Sequence, residues 1–174
     1  MLVAGVAVVL MLIFGVGAAV TTSGGGPAPP NHPTAVAGTS LRAIPATSAL
    51  AAIEQGGEPP PDIVDAVTIP AGSQRGGSAQ HQADGFDAQV GFAVSASQAA
   101  VIDFYRTELR RLGWHVSGPS NARGVRGGVE VLGVKAGSDG WYWELGAVVS
   151  PTTFAGARDT TPFVLRLLQV PDPQ

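Results

Sequence analysis

Residues 86–114, FDAQVGFAVSASQAAVIDFYRTELRRLGW, contain a strand pattern that is followed directly by a helix pattern. Residues 86–94 alternate, with every second residue apolar, which predicts a half-buried strand. In the second part apolar residues recur at helical spacing and predict one buried stripe, made of Val101, Ile102, Tyr105, Leu109 and Leu112. Ser95 and Ser97 are candidate N-caps, and Gly113 is the expected stop.

The segments on both sides of this unit are predicted to be mostly strands and loops. Upstream, the β-branched residues 63–69 predict a strand, and the Gly/Ser/Gln-rich residues 71–85 predict a loop. Downstream, strands are predicted at 114–117, 129–135, 141–149 and 163–170, with a turn at 136–140 and loops at 118–128 and 151–162. The order β-β-α-β-β-β-β predicts an α+β fold. We expect a two-layer sandwich in which one main helix covers one face of a mostly antiparallel sheet of five to six strands.

Length and composition limit the number of domains and the possible chemistry. The chain has 174 residues, no cysteine and a formal net charge of −3. This length suits one folded domain, and the lack of cysteine excludes disulfides and thiolate metal sites. The mild acidity gives no electrostatic reason to expect nucleic-acid binding. The three histidines have no metal-ligand spacing, so neither a metal site nor a cofactor is predicted.

The first twenty residues, MLVAGVAVVLMLIFGVGAAV, are apolar or glycine throughout. A helix of this length rises about 30 Å, which matches the hydrocarbon core of a bilayer, so residues 1–20 are predicted to be a transmembrane anchor. A cleaved signal peptide is the alternative, and it would leave a secreted protein. Residues 21–61 are rich in proline and glycine and predict a linker. Residues 62–174 then form the folded domain, which we expect outside the cytoplasm in a single-pass membrane protein.

Three segments resemble a group of small uncharacterised actinobacterial proteins. They are residues 69–73 (IPAGS), the run from Phe104 to Trp114, and residues 138–144 (SDGWYWE). Members of this group pair an N-terminal membrane segment with an extracytoplasmic α/β domain. The resemblance covers about residues 60–170 and implies a location at the cell envelope, but it supplies no catalytic residues.

The aromatic run Trp141, Tyr142 and Trp143 is the first candidate binding site. In a strand, Trp141 and Trp143 share one face and Tyr142 takes the other. If the helix covers the tryptophan face, the pair belongs to the core. If it does not, the pair forms an aromatic surface that suits a sugar, a peptidoglycan fragment or a partner protein.

The second candidate site is the glycine-rich loop that carries Arg123 and Arg126. It is either a flexible loop or an anion-binding loop that combines both guanidinium groups with free backbone N–H groups. Arg106, Arg110 and Arg111 on the helix predict a solvated face, with lipid headgroups or anionic wall polymer as the alternative contact.

These features predict a non-enzymatic, membrane-anchored module that binds a protein or a cell-envelope polymer. Catalytic motifs such as GxSxG and the phosphate-binding GxxxxGK[ST] are missing from the sequence. The alternative is a hydrolase or small-ligand-binding protein with an unfamiliar site between the 71–85 and 118–128 loops. A deep pocket with converging carboxylates and His115 would favour that alternative.

Overall fold

The computed structural model describes residues 40–46, 59–81, 86–155 and 158–171, and it shows an α+β fold built on an antiparallel sheet. None of the helices within these ranges has the length and apolar character needed to cross a bilayer. The predicted anchor at residues 1–20 lies outside the described residues, as does most of the predicted linker.

The described chain contains two helices and ten strands. The helices are α1 (Pro61–Val64) and α2 (Gln98–Arg111). The strands are β1 (Ala43–Pro45), β2 (Thr68–Pro70), β3 (Gln74–His81), β4 (Asp87–Val94), β5 (His115–Val116), β6 (Ser120–Asn121), β7 (Val129–Ala136), β8 (Tyr142–Val149), β9 (Thr153–Ala155) and β10 (Arg158–Val170).

The main sheet has the strand order β3-β4-β10-β8-β7-β5, and every pairing in it is antiparallel. β6 also pairs with β7, and β9 pairs with β10, so the sheet has eight strands and not the five to six that the sequence predicts. The last of the described strands, β10, lies at the centre, where Leu165 is in register with Val90 of β4 and with Ala147 of β8. β1 and β2 form a separate two-stranded sheet.

Helix α2 covers one face of the main sheet, as the sequence predicts. Ser97 is its N-cap and accepts a hydrogen bond from the Ala100 N–H at 3.3 Å. Gly113 follows the helix with a φ of 84°, the left-handed conformation typical of a helix stop. The buried stripe differs slightly from the prediction, because Phe104 is buried and Ile102 and Leu112 are only partly so. The stripe packs on alternate strand residues, among them Phe92, Trp143 and Phe163.

The cationic face of α2 is largely neutralised within the helix itself. Arg106 pairs with Asp103 at 3.3 Å, and Arg111 pairs with Glu108 at 2.7 Å. Arg110 is exposed in the last turn, where it favours the helix dipole. Two of the three arginines therefore already have carboxylate partners, which favours the solvated-face interpretation over binding of lipid headgroups.

Several predicted elements differ from the observed ones. Residues 63–69 were expected to form one strand, but Pro61 starts the short helix α1 and only Thr68–Pro70 is extended. The expected loop at 71–85 contains the edge strand β3, and the expected loop at 151–162 contains β9 and the first part of β10. These strands are hard to recognise in sequence because β3 is rich in glycine and glutamine, both weak strand formers.

Residues 40–46, which the sequence places in the linker, pack against the domain. β1 pairs with β2, and the Ala46 N–H donates to the Val67 carbonyl oxygen at 3.0 Å. Ala46 is buried in the core, and Leu41 and Ile44 pack against it. The core therefore includes a segment that precedes residue 62.

The β7–β8 turn is attached to α1 through Asp62. The Asp62 carboxylate accepts a hydrogen bond from the Ser138 hydroxyl at 2.6 Å and another from the Ser138 N–H. Lys135 donates from its Nζ to the Asp62 carbonyl oxygen at 3.1 Å and to the Leu112 carbonyl oxygen at 3.2 Å. The hydrogen bond from the Ser138 hydroxyl is the main cause that lowers the pKa of Asp62.

This attachment predicts a small contribution of Asp62 to acid unfolding. Because the pKa of Asp62 is lower in the folded than in the unfolded chain, its stabilisation is complete above the unfolded pKa and disappears as the pH falls through the folded pKa. In urea unfolding at a series of pH values, Asp62→Asn should reduce the loss of stability on acidification. Asp65→Asn removes the same charge nearby and is the control. Identical pH profiles for Asp62→Asn and the wild type would contradict the prediction.

Strands β3 and β4 approach each other unusually closely where Gly76 faces Gly91. A Cβ atom on Gly91 would lie 2.7 Å from the Gly76 carbonyl oxygen, which is a backbone atom and cannot rotate away. The β3–β4 register shifts directly after this point, between Gly76 and Gln80. Glycine at position 91 therefore permits the edge strand to pair.

Gly91→Ala is expected to lower the free energy of unfolding by about 1–3 kcal/mol, because β3 has to move away from β4. Gly76→Ala is the matched control, since a Cβ there has nothing within 4 Å. Urea unfolding measures both changes, and amide hydrogen exchange should show lost protection in β3 for Gly91→Ala alone. Equal effects of the two substitutions would refute this account.

Candidate functional site

The face of the sheet opposite α2, which we call the open face, carries the candidate site. Because side chains alternate along a strand, the residues between the buried ones point to this face. They border a cavity of about 350 Å³. Its lining residues come from four neighbouring strands and one loop: Gln89, Arg123, Val125, Glu130, Leu132, Glu144, Gly146, Val148, Val164 and Arg166.

Gly146 forms the middle of the cavity floor. It lies in register with Leu132 on β7 and with Arg166 on β10. A Cβ atom on Gly146 would lie 3.2 Å from Leu132 Cδ2 and 3.9 Å from Glu130 Oε1. Because Gly146 has no side chain, a depression remains at this point. Leu132 and the Glu130 carboxylate border it on one side, and Arg166 borders it on the other.

Arg166 forms a two-point ion pair with Asp87 on this face. Its Nε donates to Asp87 Oδ1 at 2.8 Å, and its NH2 group donates to Asp87 Oδ2 at 2.6 Å. The Asp87 side chain is only 9% exposed, whereas that of Arg166 is 47% exposed. The hydrogen bond to Asp87 is the main cause that raises the pKa of Arg166, and the negative charges of Glu144 and Glu130 also raise it.

The 122–128 loop forms the rim of the cavity and is held in place by backbone hydrogen bonds. The Ala122 N–H donates to the Gly128 carbonyl oxygen at 3.0 Å, and the Gly128 N–H donates to the Val125 carbonyl oxygen at 2.9 Å. At the start of α2, Gln98 Nε2 donates to the Gly127 carbonyl oxygen at 2.8 Å. These contacts place Arg123 and Val125 on the rim.

The two arginines of this loop have different positions. Arg123 lines the cavity, and Arg126 is exposed outside the cavity lining. The Gly128 N–H is already bonded to Val125, so it is not one of the free N–H groups that an anion-binding loop would need. Arg123 also faces a cavity that contains the carboxylates of Glu130 and Glu144.

The tryptophan pair does not share one environment, which corrects the sequence interpretation. Trp143 is 1% exposed and packs edge-on against Phe86 with ring centroids 5.3 Å apart. Trp141 precedes the first residue of β8 and is 53% exposed. Tyr142 points to the open face, half-buried, in register with Ala136 and Val170. Trp143 therefore belongs to the core, and only Trp141 and Tyr142 are accessible.

The described parts of the two loops of the alternative site lie at opposite sides of the sheet. Residues 71–73 lead into β3 at one edge of the sheet, whereas the 118–128 loop contains β6, which pairs with β7 near the other edge. Four strands separate β3 from β6, a distance of about 20 Å or more at ordinary strand spacing. His115 is exposed on the edge strand β5 and is not among the residues that line the cavity. Within the described ranges, no group of three potential metal ligands occurs.

Sequence reasoning missed Glu130, Glu144 and Arg166, three charged residues of the open face. A signal was present, because β7, β8 and β10 each carry one charged residue at an outward position between apolar neighbours. Recognising that these residues meet requires the pairing of β10 between β4 and β8, which the order of elements does not reveal.

Comparisons of the chain with protein-family models, with curated proteins and with solved structures find no match. The interpretation of the site therefore depends on its own geometry and charges.

Proposed function

We propose that this chain is a non-enzymatic binding module that holds its ligand on the open face of the sheet. The observation that carries this proposal is the cavity of about 350 Å³ around Gly146. Its volume lies at the lower end of the range found for ligand sites, and apolar floor residues are combined with a few charged groups, which is typical of binding sites.

The described elements leave this face open. The core cluster contains residues of β1, α1 and α2 together with the opposite sheet face. In the described part of the chain, only Arg123 and Val125 of the 122–128 loop line the cavity from outside the strands. A sheet face that is half apolar and uncovered favours association with a partner.

The location at the cell envelope is part of the same proposal. The apolar run at residues 1–20 would anchor the module in the membrane, with the domain outside the cytoplasm and a protein or envelope polymer as its partner. The full-length chain should then sediment with membranes after gentle lysis and stay there after an alkaline wash. Recovery of the uncleaved chain in the aqueous fraction would overturn the anchor.

Site-specific photo-crosslinking in the cells that produce the protein tests the binding face. A benzoylphenylalanine at Val164 places the reactive group on the cavity floor, and one at Ala99 places it on the exposed side of α2. We expect adducts at position 164 and not at position 99, detected as a mass shift. Adducts at neither position, or equally at both, would overturn the proposal.

Gly146→Leu provides a matched test of the same face. A leucine at this position fills the depression between Leu132 and Arg166 and should abolish the adducts at position 164. Gly118→Leu is the control, because a Cβ at Gly118 has nothing within 4 Å and Gly118 does not line the cavity. Undiminished adducts with Gly146→Leu would show that the cavity is not the site.

A further inference from the structure

We infer that the open face binds an extended segment of a partner protein and that a lysine or arginine side chain of this segment enters the cavity above Gly146. This inference rests on the proposed function and specifies the chemistry of its ligand.

A net negative charge remains on the open face. Arg166 is neutralised by its two-point pair with Asp87. The ion pairs among the described residues do not include Glu130 or Glu144, although both line the cavity. Counting Asp87 with the lining residues gives three carboxylates against two guanidinium groups, so one net negative charge remains. A cationic ligand complements this surface.

The carboxylate of Glu130 lies beside the depression at Gly146. Its Oε1 lies 3.9 Å from the point where a Gly146 Cβ would be, so it points over the depression. The charges of Glu130 and Glu144 are also felt by the Arg166 guanidinium, which raises the pKa of Arg166. A guest ammonium or guanidinium group above Gly146 would lie close to the Glu130 carboxylate, in a cavity that Glu144 also lines. Hydrogen bonds between charged groups are the stronger ones in proteins.

The floor of the cavity is apolar around Gly146. Leu132, Val148 and Val164 surround the glycine and would cover the aliphatic stem of a long basic side chain. Lysine and arginine commonly place their stems along apolar surface while the charged head reaches polar groups. An inorganic cation would leave these floor residues without a partner.

The width of the lined surface favours a peptide over a free amine as the ligand. The lining residues extend from Gln89 on β4 to Leu132 on β7, which is a width of about 14 Å at ordinary strand spacing. Tyr142 continues the half-buried surface along β8, beyond Glu144. A single alkylamine covers only the depression, whereas an extended backbone also covers the residues on both sides.

Calorimetric titration of the full-length chain in an uncharged detergent tests this inference. The probe is the acetylated, amidated peptide AVAKAVA, and the controls replace its lysine by norleucine or by glutamate. We expect the lysine peptide to bind at least about tenfold more tightly than the norleucine peptide, because one charge-assisted contact is lost. Raising the salt from about 0.05 to about 0.5 M should weaken its binding. Equal affinity of the lysine and norleucine peptides would overturn the inference.

Variants of the protein locate the contact. E130Q/E144Q keeps the size of both side chains and should weaken the lysine peptide at least about tenfold, whereas D65N removes a carboxylate that does not line the cavity and should not. Far-UV circular dichroism checks that the double variant is folded. If the double variant is not folded, the comparison of the lysine and norleucine peptides on the wild-type chain decides whether the inference holds.

Further results distinguish a failure of this inference from a failure of the proposed function. If pentylamine binds as tightly as the lysine peptide, the claim that the ligand is a peptide is wrong, and the cavity is a site for free amines. If adducts form at position 164 but the lysine peptide does not bind, the claim that the ligand carries a basic side chain is wrong, whereas the open face is still the binding surface. Missing adducts at position 164 would remove the proposed function itself.

Discussion

Trp143→Ala should lower the free energy of unfolding by about 3–5 kcal/mol, the range typical of a large aromatic side chain removed from a core. Trp143 is 1% exposed and packs against Phe86. Its Nε1 donates to the Asp139 carboxylate at 3.2 Å, which ties the β7–β8 turn to the core. The substitution therefore creates a cavity and also releases the turn. Urea unfolding followed by far-UV circular dichroism measures the change.

Trp141→Ala is the matched control, since it removes the same side chain two positions away. Trp141 is 53% exposed, and we expect a change within about 0.5 kcal/mol. Trp143→Phe should fall between the two, because the ring is kept and the hydrogen bond to Asp139 is lost. Similar effects of Trp141→Ala and Trp143→Ala would contradict the assignment of Trp143 to the core and Trp141 to the surface.

Arg166→Met should cost about 1–3 kcal/mol and should cost more than Asp87→Asn. Removing Arg166 leaves a carboxylate that is only 9% exposed without its cation. Removing the charge of Asp87 leaves a guanidinium group that is 47% exposed, which water and the carboxylates of Glu130 and Glu144 can still stabilise. The exposed arginine keeps the cost below that of a fully buried pair.

A double-mutant cycle with urea unfolding measures the coupling between the two residues. We expect a coupling of about 1–2 kcal/mol, because the pair is bidentate and one partner is buried. Arg166→Lys should recover only part of it, since an ammonium group cannot form the two parallel hydrogen bonds. A larger cost for Asp87→Asn than for Arg166→Met would refute the argument from burial.

Local patterns predicted the central part of the fold. The alternation in residues 86–94 and the helical spacing after Ser97 correspond to β4 and α2, with the expected N-cap and the expected stop. The later strands follow from their alternation and from the turn at 136–140. These elements could be predicted because each is long enough for its period to appear in the sequence.

The remaining elements are set by tertiary contacts. β1 has three residues and exists through its pairing with β2, and the edge strand β3 pairs with β4 despite its glycine-rich sequence. The open face depends on which strands become neighbours, so Glu130, Glu144 and Arg166 could not be grouped in advance. Trp141 was misplaced because a shift of one residue in the start of β8 moves it from the strand into the turn.

β10, the central strand of the main sheet, is also the last of the described strands in chain order. β4 and β8 do not pair with each other and are joined only through β10. Asp87 of β4, for example, forms its ion pair with Arg166 of β10, which lies 79 residues later in the chain. Until residue 170 has left the ribosome, both halves of the sheet expose an edge that is made for pairing. Such unpaired edges are prone to aggregation until β10 pairs with them. Truncation of the chain before β10 should therefore leave it unable to acquire its native structure.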